Sequence, residues 1–208
     1  MPQATVRRSV KAVVNKLLSE DRPAHDWYRF VLSYPPHLVR DYVQRFGLTS
    51  EHRVLDPFCG TGTTIVECKK MGIPSVGIEA NPMAHFASTQ KVNWRCNADR
   101  LLEHAERVAE IAGERLLEHG IQDDDLSLFR KNTRKRSHEL RRLPKECESL
   151  ILTDSISPVP LHKTLVLLDC LREFTDETVQ GHELLALANA IVFSISNLHF
   201  GPEVGVAI

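Results

Sequence analysis

Two carboxylates in this 208-residue sequence, Asp56 and Glu79, stand where a ligand could use them. Each closes a short apolar stretch. Arg53-Val54-Leu55 runs into Asp56-Pro57-Phe58-Cys59-Gly60-Thr61-Gly62-Thr63-Thr64, and Ser75-Val76-Gly77-Ile78 runs into Glu79-Ala80-Asn81-Pro82. A strand that ends in an acid and meets Gly-x-Gly at a helix start exposes backbone N–H groups, because glycine lets the chain approach a ligand closely and adopt positive φ. Such a turn builds a nucleoside-sized site. Glu79 follows Gly62 by 17 residues, at the end of the next strand, where a carboxylate can accept hydrogen bonds from both hydroxyls of a ribose. The spacing fits adenosine. A dinucleotide fingerprint needs a third glycine where Ile65 stands, and a phosphate loop needs Gly-Lys-Ser/Thr, which is absent, so a ligand without phosphates is favoured. Taken singly, each acid is an ordinary strand-end turn residue; their joint register with the glycines favours binding.

The elements that must position these residues follow from apolar spacing and from glycine and proline. Residues 5 to 20 read as an amphipathic helix ending near Asp21-Arg22-Pro23. A helix should begin after Tyr34-Pro35-Pro36, carry Leu38, Val39, Tyr42, Val43 and Phe46 on one side, and stop at Gly47. Helix is expected again from Ile65 to Met71, closed by Gly72, and from Asn81-Pro82 toward Gln90. The order is strand, glycine turn, helix, strand, acid. From Asn97 to His119 the repeat of Leu101, Leu102, Ala105, Val108, Ala109, Ala112, Leu116 and Leu117 predicts a long amphipathic helix. Ser149 to Thr153 reads as a short strand, 161 to 174 and 184 to 195 as helices, and 200 to 205 as a loop. Trp27, Tyr28 and Phe30 could mark a base or cofactor pocket, but an aromatic trio before a helix is more often core packing. The resulting division is an N-terminal helix over 1–27, a βαβ core with its preceding helix over 28–95, and a mainly helical extension over 96–208.

With 42% hydrophobic and 25% charged residues, the composition fits a soluble globular domain and excludes disordered, collagen-like and fibrous classes. No apolar run approaches the roughly 20 residues of a membrane helix, and the start, with Arg7, Arg8, Lys11 and Lys16, lacks a signal-peptide apolar stretch. A cytoplasmic location is expected. The five cysteines are odd in number and form no Cys-x-x-Cys pair, and the ten histidines show no ligand spacing, so neither a disulfide framework nor a metal site is expected. The balance of 26 basic to 27 acidic residues names no partner. Eight Lys or Arg crowd into 130–145, a surface that could contact phosphates or simply be a solvated face.

The runs Val54 to Thr64 and Gly77-Ile78-Glu79-Ala80-Asn81-Pro82 resemble the cofactor signature of S-adenosylmethionine-dependent DNA amino-methyltransferases, Asp-Pro-Phe-x-Gly-Ser/Thr-Gly-Thr-Thr followed by Gly-Ile-Asp/Glu-x-Asn-Pro. Tyr34-Pro35-Pro36-His37-Leu38-Val39 is similar to the stretch that closes over the methionine end of the cofactor in such enzymes. The resemblance covers residues 28 to 94. It implies an α/β, Rossmann-like methyltransferase fold, here incomplete, with helical N- and C-terminal segments. It implies S-adenosylmethionine as cofactor and the exocyclic amine of adenine or cytosine in DNA as target. The implied cofactor residues are Asp56, Pro57, Phe58, Cys59, Gly60, Gly62, Thr63, Glu79, Ala80 and Asn81. Among them Asp56 would lie near the methionine amino group, Gly60 and Gly62 would allow backbone approach, and Phe58 would pack beside the cofactor. Glu79 would hold the ribose, and Ala80 would lie along the adenine. Thr63 and Thr64 are expected to cap the helix, and Cys59 needs only to be small.

One part of the family pattern is not found: the tetrapeptide Asp/Asn/Ser-Pro-Pro-Tyr/Phe/Trp, whose oxygens orient the target amine and whose aromatic stacks on a flipped-out base. Ser33-Tyr34-Pro35-Pro36 has the wrong order, and Ser157-Pro158-Val159-Pro160 lacks the second proline and the aromatic. Either the catalytic half lies on further sequence or on a partner chain, or the chain is a cofactor-binding module that does not methylate alone. The unconcluded tail Gly205-Val206-Ala207-Ile208 favours the former. A tRNA guanine methyltransferase is the enzyme alternative, since some of these use a similar loop.

Overall fold

The structure is a computed structural model that describes residues 17–29, 33–121, 139–200 and 204–206. By its internal contacts the chain divides into two compact units, Met1–Trp94 and Arg95–Ile208. Proline, whose fixed φ suits a first turn that needs no N–H, stands at the start of four helices: Arg22–His25 (α1), Pro36–Arg45 (α2), Pro82–Lys91 (α4) and Pro158–Glu173 (α7). The expected helix over 5–20 lies mostly outside the described residues; its end is a 3-10 turn, Ser19–Asp21, leading into α1.

In the first unit, Val54–Asp56 (β1) and Ser75–Gly77 (β2) form a two-stranded parallel pair with Val54 opposite Ser75 and Asp56 opposite Gly77. Parallel strands need a crossover, and Thr63–Lys70 (α3) supplies it. One face of the pair packs, through Val54, on a core of Val43, Cys68 and Ile73 contributed by α2, α3 and the turn after it. The other face, Leu55 and Val76, is about three-fifths exposed, at 62% and 61%.

A buried ion cluster joins the N-terminal segment to this core. Glu67 of α3 is fully buried; its Oε1 accepts from His25 Nε2 at 2.8 Å and Lys70 Nζ at 2.7 Å, and its Oε2 accepts from Arg40 Nη1 at 2.7 Å. Arg40 of α2 also donates to both Asp21 oxygens, at 2.7 and 3.1 Å. The cluster ties Asp21 and His25 to α2 and α3, and so fixes the ends from which the 33–35 segment crosses the glycine turn.

Gly77 is held to glycine by contact. A Cβ there would lie 2.7 Å from Cys59 Sγ, 2.9 Å from Cys59 Cβ and 3.2 Å from Ile65 Cγ2. Gly77→Ala should destabilise the first unit by about 1–3 kcal/mol in urea unfolding. Gly113→Ala, where nothing lies within 4 Å and the backbone is mid-helix, should instead stabilise the second unit by about 0.5–1 kcal/mol. Like signs for the two would contradict this reading.

The second unit is helical. Ala98–Glu118 (α5), α7 and Gln180–Ala190 (α8) pack around Val108, Ala112, Val166, Cys170, Leu171 and Leu187. Asn97 caps α5 by accepting from Arg100 N at 2.9 Å. His104 of α5 donates from Nδ1 to Glu183 Oε1 and from Nε2 to the Phe174 carbonyl, both at 2.7 Å, an arrangement that needs both ring nitrogens protonated. The Glu183 bond, then the Phe174 bond, raise its pKa against the opposing effect of burial. A raised pKa contributes stability that is complete below the unfolded value, near 6.5, and is lost as pH rises through the folded value. His104→Leu should cost about 2 kcal/mol below pH 6 and remove most of that pH dependence; an unchanged slope would show that His104 is not its source.

Two expectations are corrected here. Ser149–Thr153 is not a strand: after the short helix Lys145–Glu148 (α6), Ser149 Oγ and the N–H groups of Leu150 and Ile151 bond back onto that helix, which closes a turn. Residues 200 to 205 were expected as a loop, but their described members, Phe200, Val204 and Gly205, lie in strands. Leu198–Phe200 (β3) and Val204–Val206 (β4) pair antiparallel after a π-helical turn, Ile191–Ile195. The architecture is thus helix-rich, with two two-stranded sheets among the described residues; the wider parallel sheet of a complete Rossmann-like fold is not present in them.

Candidate cofactor site

Both carboxylates reach the carboxyl ends of the parallel pair: Asp56 is the last residue of β1, and Glu79 lies two residues beyond β2. Glu79 Oε2 accepts from Gly60 N at 2.9 Å and its Oε1 from Asn81 N at 2.7 Å, so this side chain ties the glycine turn to the second strand end. Each carboxylate oxygen keeps a further lone pair for a donor from outside. Asp56 Oδ1 accepts from Phe58 N at 3.1 Å, and Oδ2 from the Tyr34 hydroxyl at 3.1 Å. Tyr34 also bonds Thr64 Oγ1, which lays the Tyr-Pro-Pro segment against the turn. Its own hydroxyl is held protonated, first by burial and then by the Asp56 charge.

The two loop glycines differ. Both have positive φ, +53° at Gly60 and +91° at Gly62. At Gly60 nothing lies within 4 Å of an added Cβ, so that side of the turn is open to a ligand. At Gly62 a Cβ would stand 2.9 Å from Ser88 Cβ, and the Gly62 N–H already donates to the Cys59 carbonyl at 2.8 Å; this glycine answers a packing demand from α4.

The remaining expected residues fall around this turn. Pro57 is exposed, and Phe58, 86% exposed, presents a bare ring at its mouth. Cys59 is buried against Gly77, and burial, then the charges of Asp56 and Glu79, push its thiol pKa up, which suits a packing residue and not a nucleophile. Thr63 and Thr64 do not cap α3: Gly62 is the N-cap without a side-chain bond, Thr63 is buried, and Thr64 is engaged by Tyr34. Ala80 is exposed, and Asn81 caps α4 by accepting from Met83 N at 2.9 Å and Ala84 N at 3.0 Å. Ser157 and Pro35, from the two near-matches to the missing tetrapeptide, are N-cap positions of α7 and α2.

A nucleoside-type group carrying an amino-acid tail fits these residues. Open space lies over Gly60, spare lone pairs remain on Glu79, and an exposed aromatic and an acid flank the turn. The first turn of α3 adds N–H groups that the helix itself does not use.

Residues 10–90 match the model of a family described as DNA methylase, the N6/N4 methyltransferases. This stretch of the chain is similar to that family. Type II methyltransferase M.BsoBI of Geobacillus stearothermophilus is 33% identical over 81 residues, 39% of this chain and 16% of that protein. Type II methyltransferase M.MjaII of Methanocaldococcus jannaschii is 36% identical over 69 residues, 32% of this chain and 13% of that protein. A tRNA (guanine(10)-N2)-dimethyltransferase of Methanothermobacter thermautotrophicus is 32% identical over 72 residues, 35% of this chain and 21% of that protein. The chain therefore aligns with under a quarter of the length of each of these relatives. No solved structure matches it.

Beyond the matched stretch, five of the eight basic residues of 130–145 lie outside the described residues. Of the rest, Arg141 pairs with Asp169 and donates to the Leu165 carbonyl. Among the described residues no group of three or more His, Cys, Asp or Glu could hold a metal, and no helix is long and apolar enough to cross a membrane.

Two residues beside the candidate site were not singled out from sequence. Tyr34 had a signal, since its Tyr-Pro-Pro run was noted, but its bond to Asp56 spans 22 residues. Lys91, fully buried at the end of α4, had none, because a lysine in a helix's last turn ordinarily faces water.

Proposed function

We propose that the first unit binds S-adenosylmethionine over the Asp56–Thr64 turn and serves an enzyme that methylates an exocyclic amine of adenine or cytosine in DNA. The observation that carries this is the joint placement of Asp56 and Glu79 at adjacent carboxyl ends of a parallel pair, bridged by the Glu79 bond to Gly60, within a stretch that matches the DNA methylase family. In this reading β1, α3 and β2 are the first half of a Rossmann-like sheet, residues 28–95 are the cofactor core, and the site lies at the strand ends where open α/β sheets take ligands. Glu79 accepts from the ribose hydroxyls, Asp56 from the methionine ammonium, Phe58 covers the cofactor, and Ala80 with Asn81 borders the adenine. Pro57, Cys59, Gly62 and Thr63 shape the turn that Gly60 opens. When bound, the cofactor supplies an electrophilic methyl group on a sulfonium. The 208 residues carry no Asp/Asn/Ser-Pro-Pro-Tyr/Phe/Trp run, so in this reading further sequence or a partner chain supplies the groups that hold the target amine, and the reaction takes place in the cytoplasm.

A tRNA substrate is the second reading, supported by the Methanothermobacter thermautotrophicus relative; the family match favours DNA. Titration calorimetry of the 208-residue chain with S-adenosylmethionine, followed by methyl-transfer counting on DNA and on tRNA, tests the reading. Binding with no transfer is expected. Failure to bind either S-adenosylmethionine or S-adenosylhomocysteine would overturn it, and transfer to tRNA in preference to DNA would move the substrate to the second reading.

A further inference from the structure

Behind the glycine turn lies a cavity of about 10 Å³, room for about one oxygen-sized atom. Its lining includes two cationic residues, Arg29 and Lys91, and the hydroxyl-bearing residues Ser33, Tyr34, Thr61 and Thr63. Lys91 is 1% exposed and is among the largest fully buried side chains of the described residues. Its Nζ donates to the His25 carbonyl at 3.3 Å, a long bond, and an ammonium has three N–H groups to place. Among the described residues the charges that act on it are those of Arg29, of like sign, and Asp26, which lies at an exposed position and pairs with Arg22. Burial, then Arg29, lowers the Lys91 pKa to about 8, as expected of a cation without a close counter-ion. A buried, incompletely bonded cation is costly unless a partner arrives.

We propose that Lys91, with Arg29 beside it, holds the carboxylate of the cofactor's methionine end. This rests on the proposed binding of S-adenosylmethionine over the same turn. The amino and carboxylate groups of an amino acid share one carbon, so if Asp56 takes the ammonium, the carboxylate must find its partner nearby. Tyr34 spans that gap: its hydroxyl sits on Asp56, and its side chain lines the cavity. The cavity admits one carboxylate oxygen but not a phosphate group, in keeping with the absence of a phosphate-loop lysine motif.

The test compares three probes by calorimetry on the full 208-residue chain: S-adenosylmethionine, its decarboxylated analogue, and 5′-methylthioadenosine, which lacks the amino-acid end. The unaltered chain should prefer S-adenosylmethionine to the decarboxylated analogue by about 10- to 100-fold. Lys91→Met should remove that preference and leave 5′-methylthioadenosine affinity within about twofold, a split that general loosening of the fold would not produce. Arg29→Gln, at a partly exposed position, should reduce the preference by about threefold and serves if Lys91→Met fails to fold. A preference that survives in the folded Lys91→Met chain, or one that is undiminished in Arg29→Gln where Lys91→Met fails to fold, overturns the assignment, as does no preference in the unaltered chain. If none of the three probes binds the unaltered chain, it is the cofactor reading itself that fails.

Discussion

Glu67→Leu should cost the first unit about 3–5 kcal/mol, the largest loss expected from any single change to its ion cluster. Leucine is close in size, so the packing around Val66 and Cys68 would survive; what is lost is the charge that satisfies His25, Arg40 and Lys70 together. Arg40 would keep Asp21, but a positive charge would be left over in a region where Glu67 itself is wholly shielded from water. Burial raises the pKa of Glu67, and the hydrogen bonds from His25, Lys70 and Arg40 outweigh it, bringing it down to about 2. A depressed carboxylate contributes stability that is complete above its unfolded value of 4.5 and is lost as pH falls through about 2. Urea unfolding monitored at Trp27 and Trp94 should therefore show the unaltered chain weakening between pH 4.5 and 2, and the variant weak throughout with a flatter acid limb. A variant that loses under about 1 kcal/mol would mean that the cluster is replaceable by apolar packing, as buried ion pairs sometimes are.

Glu79→Ala should weaken S-adenosylmethionine binding by about 100-fold. Two ribose hydroxyls donating to one carboxylate contribute about 1.5 kcal/mol each, near 3 kcal/mol together. The same change frees Gly60 N and Asn81 N, so the turn also loses the tie that holds it in shape before any ligand arrives. Glu79→Gln separates the two effects. An amide keeps one acceptor oxygen, so the loss should be smaller, about tenfold. Affinity within about threefold of the unaltered chain for Glu79→Ala would remove Glu79 from the site.

The sequence was most legible where local chemistry decides the backbone. Proline at helix starts, glycine after α2 and α3, and the apolar repeat of α5 placed those elements to within two residues. The turn from Asp56 to Thr64 was readable for the same reason, since its proline and glycines set the backbone locally; that Glu79 would bond Gly60, 19 residues away, was not. The illegible parts depend on contacts across long separations. The Glu67 cluster joins residues 42 apart, and each member alone looks like a surface charge on an amphipathic helix. Gly77 reads as an ordinary strand residue until Cys59 is packed against it. The threonines after Gly62 promised a cap, but a left-handed Gly62 took the position and Tyr34, 30 residues earlier, took the Thr64 hydroxyl. In the second unit the short 198–200 and 204–206 strands carry too few residues for a period to show, and only their mutual pairing reveals them.

The bare face formed by Leu55 and Val76 bears on how this polypeptide behaves in a tube. Parallel strands are ordinarily sheathed on both sides, and here one side of the pair meets solvent; Ile78 and Phe58, just beyond the strand ends, are exposed as well. Among the described residues the pair has no third strand, and an open strand edge beside such a face is a template for adhesion between copies. The 208-residue chain purified alone should be an adhesive colloid: its sedimentation coefficient should climb with concentration, and a dye that fluoresces on apolar surface should brighten in native buffer. Ligand titrations on it belong at the lowest protein concentration the instrument can read.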